Sequence, residues 1–278
     1  MPRCPRTDDH DRSSVSDHPA FYLPVSDTEF TSTPATASPW DSALQHGGPP
    51  AALLARAIEY CEPVDAMPIA RMTVDFLGGI PQGRIRTEAR IVRPGKRVEL
   101  VEAELWANDK LAVRASAWRI RRQPGTTAHV ATPAVLPPPV PAPTPARFFD
   151  GVDEDWGYGH AIDWRFTTGD FDTLGPAKVW ARAKIPLVEA EPTSGTQRLM
   201  LIADSANGLS GEMPMSEWLF IPPTLTVTVQ REPDAEWLFL EAASTIGPDG
   251  TGIAQGSISD DKGLLCRIAQ PLLVAPRG

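Results

Sequence analysis

Cysteine, tyrosine and histidine are scarce in this chain, and it has no long apolar run. Its 278 residues include 3 cysteines, 3 tyrosines and 5 histidines. Cys4, Cys61 and Cys266 lie far apart with no CxxC pair, which argues against a disulfide framework or a thiol redox motif. The histidines, at 10, 18, 46, 129 and 160, show no paired spacing for zinc, so no metal is expected. Nothing approaches the ~18 consecutive apolar residues of a membrane span. Residues 1–16 are studded with Arg, Asp and His and lack the apolar centre of a signal peptide. Positive charge is short too: 26 Lys and Arg against 35 Asp and Glu leave a net charge of −9. That balance offers no footprint for a phosphate backbone and argues against nucleic acid as the main partner. There is no GxSxG elbow for a serine hydrolase. Gly157-Tyr158-Gly159 lacks the third glycine and the strand–helix setting of a phosphate loop. The expectation is a soluble, cytoplasmic protein with no metal or redox cofactor.

Proline is abundant: 30 residues, about twice the usual share. Eight of them fall between Pro124 and Pro145. Without backbone N–H groups and with φ fixed, that stretch favours extended structure over a helix or a sheet interior. Such segments also serve as partner-binding motifs, but a tether between domains is the commoner use. The chain therefore divides into a mobile polar tail (1–18), an N-terminal unit (19–122), a proline-rich linker (123–146) and a C-terminal unit (147–278).

In the first unit, residues 46–60 read as a helix, with prolines in the first turn and Leu53, Leu54, Ala57 and Ile58 at helical spacing. Four strands are expected after it, at 70–78, 83–92, 97–107 and 110–120. Val101, Ala103 and Leu105 alternate with Glu102 and Glu104, and Asn108-Asp109 forms a hairpin-like turn. The same order recurs after the linker at an offset of 153. Thr73-Val74 matches Thr226-Val227, Glu88-Ala89 matches Glu241-Ala242, and Arg114 matches Arg267. A second helix is expected over 195–208, stopped by Asn207-Gly208. Strands are expected at 224–230, 236–244, 252–259 and 264–274. A shared order of elements at one offset indicates an internal duplication.

A helix followed by four antiparallel strands, with a strand ahead of it, is the layout of the hotdog fold, in which a curved sheet wraps one helix. Two such units in one chain resemble the double-hotdog type II (TesB-like) acyl-CoA thioesterases. The resemblance rests on His46-Gly47-Gly48, on ADSANG (Ala203–Gly208) and on the closing strand CRIAQPLLV (Cys266–Val274). The run WDSALQHGGPPAALLARAIE is also similar to actinobacterial thioesterase-like proteins. The resemblance implies an α+β double hotdog that hydrolyses acyl-CoA to free fatty acid and CoA, with acyl-CoA as its partner and no cofactor. It implies that an Asp on the second helix, a hydroxyl opening the next strand and a Gln near the end of the last strand position the attacking water. The Asp falls on Asp204 and the Gln on Gln270. The hydroxyl position is a departure, because the strict match gives Pro222 or Pro223, and only a one-residue shift brings in Thr224.

Each of these residues also has a plainer reading. Asp204 follows Leu199-Met200-Leu201-Ile202-Ala203, so burial and a helix C-terminus would raise its pKa toward the range of a general base. Alternatively it sits at a solvated helix end beside Ser205 or Asn207. Gln270 lies in an apolar strand, either buried with partners or on the solvent face. Thr224 is equally an ordinary strand residue. Gly47 and Gly48 could present N–H groups to a thioester oxyanion, or could simply allow close packing. His46, as a substrate-binding residue, competes with a role as a cap or surface residue. Subtracting 153 from Asp204, Thr224 and Gln270 gives Ala51, Arg71 and Ala117. One composite site per chain is therefore expected, with the helix start from the first copy and the polar side chains from the second. The alternatives are a non-catalytic acyl-thioester binding or scaffold protein, and an enoyl-CoA hydratase-like enzyme, which would need a His beside the Asp. The duplication already supplies the usual hotdog pair, so a homo-oligomer is allowed but not required.

Overall fold

Two short strands, β1 (Tyr22–Pro24) and β2 (Glu29–Ser32), lead into helix α1 (Gly48–Tyr60) in the computed structural model. The model describes residues 18–64, 66–126, 135–145, 147–152 and 155–277. The expected tail up to residue 17, and 127–134 and 146 of the expected linker, lie outside the described residues. Strands β3 (Ile69–Phe76), β4 (Arg84–Arg93), β5 (Val98–Ala107) and β6 (Lys110–Ile120) complete the first half. They form where alternation is cleanest: Val101, Ala103, Leu105 and Ala107 are buried, and the residues between them are half-exposed. Asn108 and Asp109 both take positive φ (50° and 57°), the conformation that a tight two-residue hairpin demands.

The second half begins with α2 (Gly157–Ala161), β7 (Ile162–Thr168) and β8 (Ala177–Ala183). Helix α3 (Gly195–Ala203), the short turn α4 (Ala206–Leu209) and strand β9 (Trp218–Ile221) follow. Strands β10 (Thr224–Val229), β11 (Leu238–Ile246), β12 (Thr251–Asp260) and β13 (Gly263–Pro276) close the chain. All the strands join one antiparallel sheet in the order β1-β2-β4-β5-β6-β3-β10-β13-β12-β11-β8-β7, with β9 paired to the end of β13. The order is a mirror about β3–β10, and the register of the central strands obeys the same offset. Ala103 faces Ala115 as Gly256 faces Ile268, and the bulge at Leu105/Trp106 recurs at Ile258/Ser259. This is an α+β double hotdog.

The sheet wraps α1 and α3, which pack against each other. A Cβ on Gly48 would collide with the Leu201 carbonyl, so the glycine permits the helices to touch. Ser194 caps α3 in a reciprocal capping box with Gln197. Both side chains also reach Glu59 of α1, at 2.8 and 2.7 Å. Arg56 of α1 forms a bidentate pair with Glu191, at 2.7 and 2.8 Å. The expected helix over 195–208 is corrected here, since α3 ends at Ala203 with Asp204 as its C-cap. Gly208 does not adopt the left-handed conformation of a helix stop, and Asn207 instead donates to the Phe220 carbonyl at 3.0 Å. Residues 135–145 run without regular secondary structure, and the Pro138 carbonyl accepts the Trp180 indole N–H at 3.0 Å. Among the described residues, no helix is long and apolar enough to cross a membrane.

Candidate active site

Where the start of α1 meets the end of α3, a cavity of about 510 Å³ opens between the two halves. Its walls are apolar, with Trp40, Phe76 and Ile80 from the first half and Trp156, Trp164 and Leu209 from the second. Leu77, Ile221 and Leu273 also line it and are all exposed, so its rim is greasy. Its polar side chains are few: Gln45, His46, Asp204, Ser205 and Asn207 among them. Apolar walls with a few convergent polar groups are the usual form of a small-molecule site.

Asp204 is buried, and burial pushes its carboxyl up to about 7, while the Gly47 backbone N–H pulls the other way. The Gln270 amide donates to Asp204 Oδ1 at 3.1 Å. Gln270 is fully buried on the inward face of β13, so the solvent-face alternative does not hold. Its Oε1 has no protein partner among the described residues.

His46 comes from the first half and faces the second. Its Nδ1 lies 3.5 Å from Asp204 Oδ2 and accepts the Gly48 N–H at 3.0 Å. The ring stacks on Tyr158, with centroids 3.8 Å apart and planes within 5°. Burial lowers its pKa to about 3, so the imidazole is neutral. The surface-residue alternative is thereby corrected: His46 caps α1, and a carboxylate stands beside it. Nothing local signals that pairing, since the two residues are 158 positions apart.

The expected oxyanion donors are placed differently. The Gly48 N–H is spent on His46, and the Gly47 N–H turns toward Asp204. Gly47 leaves room for the carboxylate, because a Cβ there would sit 2.6 Å from Asp204 Oδ2 and 2.8 Å from Phe76 Cζ. Thr224 is not brought to the cavity. Its hydroxyl donates to the Val74 carbonyl at 2.9 Å across the β3–β10 pair, and Pro222 and Pro223 line the wall instead. In the first half, Ala51 and Ala117 are buried in the core and Arg71 bonds Thr73 and Ser116, so no second carboxylate–amide pair exists at those positions. Sequence reasoning gave no site role to Tyr158 or Ser205, whose hydroxyls lie 2.9 Å apart: the Gly-Tyr-Gly run flagged Tyr158 only as a failed phosphate loop, and Ser205 entered only as a neighbour of Asp204. Among the described residues, no three His, Cys, Asp or Glu side chains are grouped to hold a metal ion.

Comparison with known proteins agrees with this architecture. A search of curated proteins found no match. Among solved structures, a protein of Novosphingobium aromaticivorans superposes with a TM-score of 0.68 at 19% identity, covering 91% of this chain and 98% of its own. A conserved hot dog protein of unknown function from Alicyclobacillus acidocaldarius gives 0.67 at 19%, covering 96% and 99%. The acyl-CoA thioesterase II TesB2 of Mycobacterium marinum gives 0.63 at 16%, covering 92% and 95%. At these identities the likeness speaks for the fold. Family assignment comes from the sequence itself: residues 36–120 match the acyl-CoA thioesterase N-terminal domain and residues 133–274 the acyl-CoA thioesterase C-terminal domain. The chain belongs to the acyl-CoA thioesterase family.

Proposed function

We propose that the chain hydrolyses acyl-CoA to free fatty acid and CoA at one composite site, with Asp204 as general base. The observation that carries this reading is the buried Asp204 carboxyl, raised to about 7 and held by Gln270 at 3.1 Å beside an apolar cavity. A carboxylate with that pKa takes a proton efficiently near neutrality. Gln270 steadies Asp204 through its N–H, and its Oε1 is a buried acceptor suited to a water O–H. The acyl chain lies along the apolar walls. Water oxygen attacks the thioester carbon while Asp204 takes its proton. The tetrahedral intermediate then collapses, the C–S bond breaks, and the sulfur leaves with that proton as free CoA thiol. The test is thiol release from a panel of acyl-CoAs of increasing length, beside Asp204→Asn. Loss of release in the folded variant supports the assignment; unchanged release overturns it.

Two other readings each have one observation in their favour. His46 at 3.5 Å from Asp204 supplies the His–Asp pair of hotdog hydratases. Hydration of an enoyl-CoA would show as loss of enoyl absorbance without thiol release. Pro222 and Pro223, lining the cavity where the family has a hydroxyl, favour a non-catalytic acyl-thioester binder. That protein would gain thermal stability from acyl-CoA and release no thiol.

A further inference from the structure

We propose that His46 is the carbonyl donor of this site, its Nε2–H binding the thioester oxygen, and that Tyr158 is the residue that positions its ring. The proposal rests on the thioesterase reading above. Hydrolysis needs a donor aimed at the oxygen where negative charge develops. The helix-start N–H groups of Gly47 and Gly48 are turned to Asp204 and His46. The indole N–H groups of Trp156 and Trp164, whose rings neighbour Tyr158, are spent on the carbonyls of Ala37 and Gly159, at 2.9 and 3.0 Å.

His46 is left with a donor. A neutral imidazole carries one proton, and Nδ1 must offer a lone pair to the Gly48 N–H, so the proton sits on Nε2. The residue lines the cavity, and among the described residues no protein group bonds Nε2. Because burial keeps the ring neutral, it does not compete with Asp204 for the proton of the attacking water. A neutral imidazole is a competent polariser of a carbonyl.

Tyr158 fixes the ring plane. It is fully buried and stacks on His46. Its hydroxyl donates to the Leu201 carbonyl at 2.8 Å and, with that proton spent, accepts from Ser205 at 2.9 Å. The Gly48 bond holds His46 within its plane, and the Tyr158 face holds the plane itself.

The experiment compares His46→Phe, which keeps a ring on Tyr158 but no donor, with His46→Gln, whose amide N–H can reach the Nε2 position. The expected loss in kcat for His46→Phe is roughly 10²–10³-fold with KM little changed, and His46→Gln recovers part of it. Tyr158→Leu lowers kcat roughly tenfold, and Tyr158→Phe, which keeps the stacked face but loses the bonds to Leu201 and Ser205, lowers it by less. The carbonyl stretch of a bound ketone analogue of acyl-CoA is lower in wild type than in His46→Phe; where that variant does not fold, His46→Leu replaces it in both assays. Wild-type kcat in a folded donor-less variant, or an unchanged carbonyl band, overturns the proposal. If Asp204→Asn abolishes thiol release while the donor-less variant keeps it, this proposal alone fails. If wild type releases thiol from no acyl-CoA, both readings fail.

Discussion

Thr73 and Thr226, 153 residues apart, face each other across the central strand pair with their hydroxyl oxygens 3.1 Å apart. They sit on the pseudo-twofold axis of the sheet. Thr224 opposite Asp75 and Thr228 opposite Arg71 flank them, so the two halves meet through equivalent strands running in opposite directions. The meeting is also what makes the cavity, since it brings the start of α1 against the end of α3. Joint and site are one geometry.

The hydroxyl pair itself contributes little. Both threonines are half-buried, and a β-branched valine suits the same strand positions. Replacing both by valine removes that hydrogen bond and the one Thr73 accepts from Arg71 at 2.7 Å, and should cost about 2 kcal/mol in chemical denaturation. A cost several times larger would mean that the pair organises the joint.

Asp204 makes stability depend on pH. Its folded pKa of about 7 lies above the ~3.9 of an unfolded aspartate, so between those values the folded chain binds more protons. The sign follows: the folded state loses stability as pH rises from about 4 to about 7 and is level beyond. Three pKa units correspond to about 4 kcal/mol as an upper bound. Asp204→Asn removes that slope. The variant should match wild type near pH 4 and exceed it by a few kcal/mol at pH 8 in urea unfolding. Parallel curves for the two proteins would contradict a desolvated carboxylate.

What the sequence disclosed follows from which faces are buried. β5 alternates because one face packs on a helix, and the offset of 153 was visible because residues at matching positions occupy matching registers in the central strands of the two halves. β7, buried at one end and exposed at the other, carries no such period, and β9 has four residues. The Asn207-Gly208 stop was overridden by a distant partner, the Phe220 carbonyl. Asp204 and Gln270 were readable from the family resemblance. The nearness of His46 was not, since a crossing of two helices leaves no local pattern. The reading of Gly47 and Gly48 as free donors failed because His46 folds back onto the next turn and takes one of them.

The rate should respond to the same titration in the opposite direction. On the proposed reading Asp204 is a general base that acts when ionised, so kcat for acyl-CoA hydrolysis should rise with pH through about 7 and level off above it. His46, lowered to about 3, adds no step in this range. A profile flat from pH 5 to 9, with chemistry rate-limiting, would remove Asp204 from the role of base.

Two adjacent glycines should give contrasting variants. Gly47 has an ordinary right-handed helical backbone (φ −68°), so alanine there is not strained by conformation. Its Cβ meets Asp204 Oδ2 at 2.6 Å and the Phe76 ring, which can swing aside, at 2.8 Å. Gly47→Ala should therefore fold with modest loss while displacing the carboxylate, and kcat should fall at least tenfold, since small misplacements of a catalytic group are costly. At Gly48 the obstacle is the Leu201 backbone carbonyl, which cannot move without separating α1 from α3. Gly48→Ala should cost roughly 1–3 kcal/mol or more, seen as a lower melting temperature. Melting and turnover on both variants separate the roles: one glycine makes room for the carboxylate, the other for the helix crossing that delivers it. An active Gly47→Ala with a shifted melting curve would reverse that assignment.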